Sequence, residues 1–186
     1  MLKNNQGFSL VELLAVIVIT SFILVPLMTA FTNNITIYDR LEKRRSTVGI
    51  IDVMVNSIDR LNFGSVKAEL DLSTNHFYIL DGSNCNTIFT DPDDQIFCTN
   101  YFNLTYNNFS IQEGEIEIYF FDWNISDAEM TILLDRGFHP AIEQELSTIV
   151  TNDFTESNSV MRFVILGHYD TGNNDVVAIG GVMASD

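Results

Sequence analysis

Basic residues are scarce in this chain. Nine Lys and Arg stand against 25 Asp and Glu, a formal net charge of −16 over 186 residues. The shortage is uneven. Seven of the nine lie at or before Lys67, and from Ala68 onward only Arg136 and Arg162 face twenty acids. Such a surface repels phosphate backbones, which argues against a distal part that grips DNA or an anionic bilayer. Its carboxylates read first as a solubilising surface and second as possible cation ligands. Cysteine is nearly absent too. Cys85 and Cys98 are the only two. With no CxxC and three scattered histidines (His76, His139, His168), they do not make a zinc site. In a reducing compartment they are free thiols. Outside the membrane, a disulfide closing that loop would contribute on the order of 3 kcal/mol.

Catalytic signatures are missing as well. Gly180-Gly181 is a bare pair rather than a phosphate loop, and no G-x-S-x-G, HExxH or EF-hand loop occurs. His168-Tyr169-Asp170 is one short stretch at a strand end and reads as structural. No enzyme is expected, and no internal repeat or low-complexity linker is present. The length suits one domain plus a membrane segment.

What the chain does have is a long apolar run. QGFSLVELLAVIVITSFILVPLMTAF begins at Gln6, and Phe8 to Phe31 is apolar apart from Glu12 and a few Ser and Thr. About 24 residues give roughly 36 Å of helix, enough to span a bilayer. No small-residue cleavage site follows it, as a secretory signal would require. Glu12 is the anomaly, because a carboxylate in hydrocarbon costs roughly 2.5–3.5 kcal/mol at a helix centre and less near an end. Pro26 predicts a kink or a loosened turn. Beyond the run, Ile37, Leu41, Val48, Ile51, Val55, Ile58 and Leu61 recur at mostly three- and four-residue steps, predicting an amphipathic continuation to about Leu61, with Asn62-Phe63-Gly64 as its stop. Arg40, Lys43, Arg44 and Arg45 follow the span, whereas Lys3 alone precedes it. A charge count by itself favours the opposite orientation to a head outside the cell.

Gly7-Phe8-Ser9-Leu10-Val11-Glu12-Leu13-Leu14 resembles the cleavage and methylation motif of type IV prepilins and type II secretion pseudopilins. A short polar leader ends in Gly, Phe follows, Glu stands five residues after the cut, and a long apolar run continues. The resemblance implies that a prepilin peptidase cuts between Gly7 and Phe8 and that the new amine of Phe8 is N-methylated. It implies that Glu12 faces the N-terminal amine of a neighbouring subunit. An ammonium and a carboxylate paired in hydrocarbon satisfy each other, and removing either strands the other. Phe8 and Glu12 are also i and i+4, so the amine could pair within one chain first.

The expected organisation is a leader at 1–7, a membrane or filament-core half-helix at 8–31, an amphipathic half-helix at 32–62, and a β-rich extracytoplasmic head at 63–186. The expected fold class is α+β, an antiparallel sheet packed on the amphipathic half-helix. Strands are predicted at Val66–Leu72, His76–Leu80, Gln95–Cys98, Phe102–Tyr106, Phe109–Ile111, Glu115–Phe120, Met161–Leu166 and Val176–Ile179, with a hairpin at Glu113-Gly114. Glu113, Glu115 and Glu117 should form a solvent face, with Ile116 and Ile118 inward. Ala128–Asp135 is ambiguous, and Pro140–Val150 suggests a short helix.

Asp170, Asn173 and Asp175 surround a Gly turn with hard oxygen donors that would suit calcium, and Asp91-Pro92-Asp93-Asp94 could contribute. The resemblance supports a calcium loop, while a plain turn needs the same residues. The size of the head favours a minor subunit. The expected partners are the peptidase, other pilin or pseudopilin subunits and membrane platform proteins, with no nucleic acid bound directly by the head. The filament could serve competence, secretion, adhesion or motility, at the cell surface or in the periplasm. The alternative is a single-pass, signal-anchored binding protein or adhesin that never polymerises.

Overall fold

A computed structural model describes residues 9–73, 77–89, 91–102, 105–106, 109–110, 115–123, 131, 139–148, 159–169 and 175–185. The chain divides into two compact units, Met1–Leu41 and Glu42–Asp186. Helix α1 spans Leu10–Val55 and includes Pro26 without a break in the assigned helix.

In the first unit the described helix is exposed on all sides; Leu10, Phe22, Val25 and Met28 are each at least 66 % exposed. Five of its hydroxyl side chains are satisfied locally. The hydroxyls of Thr20, Ser21, Thr29, Thr32 and Thr36 each donate to the carbonyl four residues back, at 2.7–3.0 Å. A hydroxyl bonded to its own helix carries little penalty in hydrocarbon. This is the one helix among the described residues long and apolar enough to cross a membrane, with a mean hydropathy of 2.6 in its most apolar window.

In the second unit the last turns of α1 bury Ser46, Thr47, Ile50, Ile51 and Met54. The buried stripe therefore runs through Thr47, Ile50, Ile51 and Met54, whereas Val48 and Leu41 are exposed. The helix also ends earlier than expected. The amide of Asn56 donates to Asp52 O at 2.7 Å and the hydroxyl of Ser57 to Val53 O at 2.8 Å. These side chains occupy carbonyls near the helix end, and a 3-10 turn at Ile58–Arg60 follows.

Asn62 is a start rather than a stop. Its side chain accepts from Ser65 N–H and caps α2, Phe63–Leu72. The strand predicted at Val66–Leu72 is thus a helix. It buries Val66 and Leu70, one turn apart, and leaves Leu72 78 % exposed. Lys67 pairs with Asp71 one turn on, and also with Asp122, both at 2.7 Å. Burial works against its charge, but these carboxylates outweigh it and raise its pKa.

After β1 (Phe77–Asp81) come a short helix α3 (Cys85–Ile88) and α4 (Pro92–Tyr101). The strand expected at Gln95–Cys98 lies inside α4. Asp91 caps this helix by accepting from Asp93 N–H, Pro92 opens it, and Asp94, Phe97 and Cys98 share the buried face. Among the described residues, strands β2 (Thr105–Tyr106) and β3 (Phe109–Ser110) pair only with each other. The remaining elements are β4 (Ile116–Asp122), α5 (Pro140–Thr148), β5 (Val160–His168) and β6 (Val176–Ala184). Pro140 opens α5, with Ala141 N–H donating to His139 Nδ1 just before it.

The main sheet is antiparallel throughout, in the order β1-β4-β5-β6. β4 takes β1 and β5 as its neighbours rather than β3, and the turn expected at Glu113-Gly114 lies outside the described residues. One face carries the row Leu80, Ile118, Ile165 and Ile179 in register, packed with Ile50, Ile51 and Met54 of α1. The other face carries Tyr119, Phe121, Val164 and Leu166, packed with Ile142 and Leu146 of α5. The sheet is therefore covered on both sides. This corrects the expected solvent face: Ile116 and Ile118 do point inward, but part-buried Glu117 accepts from the Tyr119 hydroxyl on the face that α5 covers. Glu115 sits just before β4, and Glu113 lies outside the described residues.

Asp94 is the least comfortable group in this core. It is 2 % exposed. Oδ1 accepts from Asn62 N–H at 2.8 Å, tying α4 to the start of α2, while Oδ2 has no partner among the described residues. Burial pushes its carboxyl above the usual range, the Asn62 hydrogen bond opposes this, and Asp91 and Asp93 add to it. A raised folded pKa means stability that is present at low pH and lost as the acid ionises with rising pH. Asp94→Asn should therefore raise the urea midpoint at pH 7, and the gain should vanish below the carboxylate range. Paired denaturation curves at the two pH values check this; an equal or larger gain at low pH would contradict it.

Candidate functional site

The site predicted from sequence is the start of α1. Gly7 and Phe8 lie outside the described residues. Glu12 is described, exposed, and the third residue of the helix. Its Oε2 accepts from Ser9 N–H at 3.3 Å, while Leu13 N–H donates to Ser9 O at 3.1 Å. Ser9 is the residue before the helix, so Ser9-Leu10-Val11-Glu12 forms the back-reaching half of a capping box. The S-x-x-E spacing carries that signal, and sequence reasoning passed over it. An acid at this position also faces the positive end of the helix dipole. Glu12 thus has a partner within its own chain, at the edge of the apolar run rather than at its centre.

The other candidates are less concentrated. Asp170 and Asn173 lie outside the described residues. Asp175 is part-buried, and its backbone carbonyl accepts from Tyr169 N–H at 3.0 Å, closing the β5–β6 connection. Asp91-Pro92-Asp93-Asp94 is accounted for by the capped start of α4. No cluster of three His, Cys, Asp or Glu able to hold a metal occurs among the described residues. His168 donates its N–H to Glu115 O at 2.8 Å as part of the sheet. Cys85 and Cys98 form a disulfide, with Cα atoms 5.6 Å apart.

Residues 2–28 match the family model described as the prokaryotic N-terminal methylation motif. The chain carries this motif. It is the signature of type IV prepilins and pseudopilins. The match contains Gly7, Phe8, Ser9 and Glu12 and continues past Pro26, so it covers the capped helix start and most of the exposed apolar segment. The proteins that share the methylation motif are structural rather than enzymatic. Together with the apolar helix, the motif fits a membrane-anchored protein with an exposed head. No curated protein and no solved structure matches the chain.

Proposed function

We propose that this chain is a minor pilin or pseudopilin subunit. It is stored in the membrane by its N-terminal helix, cut between Gly7 and Phe8, N-methylated at Phe8, and then assembled into a type IV-like filament. The observation that carries the reading is Glu12 inside the methylation motif, at the first turn of an apolar helix. In the stored subunit the carboxylate rests on Ser9 N–H. In a filament it would exchange part of that contact for the ammonium of a neighbouring Phe8. A charge-assisted pair is roughly twice as strong as a neutral hydrogen bond, and between subunits it forms only where the two dock in one axial register. The acid then acts as a specificity device. Apolar side chains supply the remaining contact, since each helix exposes them on every side.

Intact mass and N-terminal sequencing, with and without a prepilin peptidase, test this. Loss of Met1–Gly7 with one added methyl group on Phe8 is expected. An uncut chain beside an active peptidase would leave a signal-anchored ectodomain instead. Glu12→Ala should leave cleavage intact and lower incorporation into filaments by about tenfold or more, because the neighbouring amine loses its partner.

A further inference from the structure

The outer face of α1 within the second unit is exposed. Ser46, Thr47, Ile50, Ile51 and Met54 are buried. Arg44, Arg45, Val48, Asp52 and Val53 therefore turn outward, and all five are exposed. Helical spacing puts Arg45, Val48 and Asp52 along the centre of this face, with Arg44 and Val53 at its sides. Arg44 and Arg45 enter no salt bridge among the described residues.

Elsewhere the unit is acidic. Residues 42–186 hold 23 acids against seven basic residues, and from Ala68 onward the ratio is twenty to two. Asp91, Asp93 and Glu143 are exposed there, and none enters a salt bridge among the described residues. Two copies of such a unit repel in most orientations. The exception sets the arginines of one copy against the carboxylates of another. A guanidinium suits that contact, because it is weakly hydrated and grips a carboxylate with two parallel N–H donors. Val48 and Val53 add apolar area beside it. Two parallel strips meeting each other would instead place Arg45 against Arg45.

We propose that Arg44 and Arg45 dock on the acidic surface of a second copy of this chain, at carboxylates beyond Ala68. The two surfaces differ, so the contact is heterologous and repeats from copy to copy, as an open filament requires. The inference rests on the filament reading, to which it adds a contact between heads. It gives a use to basic residues that follow the apolar run, where a charge count alone places them on the wrong side. It also offsets the mutual repulsion that packing such acidic heads side by side entails.

The test uses full chains carrying Arg45→Lys, half of them labelled with heavy nitrogen, reconstituted together in phosphatidylcholine vesicles. A carbodiimide joins a lysine amine to a carboxylate in direct contact with it. Peptides linking position 45 of one isotope to an acid beyond Ala68 of the other are expected. Adding Arg44→Glu should lower their yield at least about fivefold, and salt at about 0.5 M should lower it too. Arg60→Glu makes the same charge change at another exposed position and should leave the yield within about twofold. Intact mass after exposure to a prepilin peptidase is read on the same preparation, so the two readings fail separately. An uncut chain removes the filament reading, and the links still decide the contact. Absence of mixed-isotope links at position 45 would overturn the proposal. So would links to Glu42 or Asp52 of the other copy, which would assign the strip to its own counterpart. Links that vanish when about one-third of the lipid is phosphatidylglycerol would overturn it as well, giving the arginines to anionic headgroups.

Discussion

Removing the disulfide should cost the head about 3 kcal/mol and roughly 10 °C of melting temperature. Cys85 and Cys98 are 0 % and 1 % exposed and lie in the main core cluster with Phe89, Phe97 and Phe102. The bond joins α3, four residues long, to α4, whose hydrophobic contribution is confined to one face. Neither helix is long enough to persist alone, so their placement depends on this link and on the aromatic contacts around it. Phe97 sits 4.8 Å from Tyr101 and 6.4 Å from Phe102, ring centre to ring centre. In the unfolded chain the cross-link closes a loop spanning 13 positions, and the entropy it removes there is its main contribution. Cys85→Ala with Cys98→Ala is the cleaner variant. Serine would add two buried hydroxyls, each an extra cost. Thermal unfolding of the full chain with and without reductant gives the same comparison without mutation. Equal stability in both would mean that the bridge contributes nothing.

The sequence made the functional end of the molecule legible and the head only in part. The motif at Gly7–Leu14 is read from residue identities, so no tertiary context is needed. Strands β1, β5 and β6 were visible because each is a run of β-branched and aromatic residues with turn residues beside it. Helix α5 was visible through Pro140 and the spacing of Ile142 and Leu146. The errors at Val66–Leu72 and Gln95–Cys98 both come from windows too short to separate strand from helix; Gln95–Cys98 is only a four-residue run. A seven-residue window with apolar residues at positions 66, 68, 70 and 72 satisfies a period of two, while positions 66 and 70 alone satisfy a helix. The caps Asn62 and Asp91, with Pro92, were the discriminating signal, because a cap specifies a helix whatever the periodicity that follows. The pairing of β4 with β1 and β5 could not be read locally. β1 and β4 are separated by more than thirty residues that include two helices, and nothing in either strand names its neighbour. In α1 the expected Ile51 is buried and Val55 packs on the core, but Thr47 takes the buried place expected of Val48. Thr47 meets the sheet at Gly167, and hydrophobicity alone ranks it below Val48.

That close approach yields the second large effect. Gly167→Ala should destabilise the head by about 2 kcal/mol, within the range for overpacking a filled core. A Cβ placed on Gly167 would lie 2.6 Å from Thr47 Cγ2 and 2.7 Å from Ile51 Cδ1. Thr47 is 1 % and Ile51 0 % exposed, so neither side chain has free space to move into. Glycine at this point of β5 lets the buried stripe of α1 rest directly on backbone. A steric cause makes a specific demand: shortening the obstructing side chain should relieve the variant. Ile51→Val removes the methyl group that meets the new Cβ. By itself it should cost about 1 kcal/mol, yet combined with Gly167→Ala the total should fall below the sum of the two single losses. Thr47→Ser, which deletes Cγ2, should show the same sign of coupling. Gly181→Ala serves as an independent comparison, since its Cβ would meet the Phe163 ring at 2.5 Å instead. It should destabilise without any coupling to Ile51. Urea denaturation of the four-member cycle decides the matter. Strict additivity at Gly167 and Ile51 would show that the helix does not rest on that glycine.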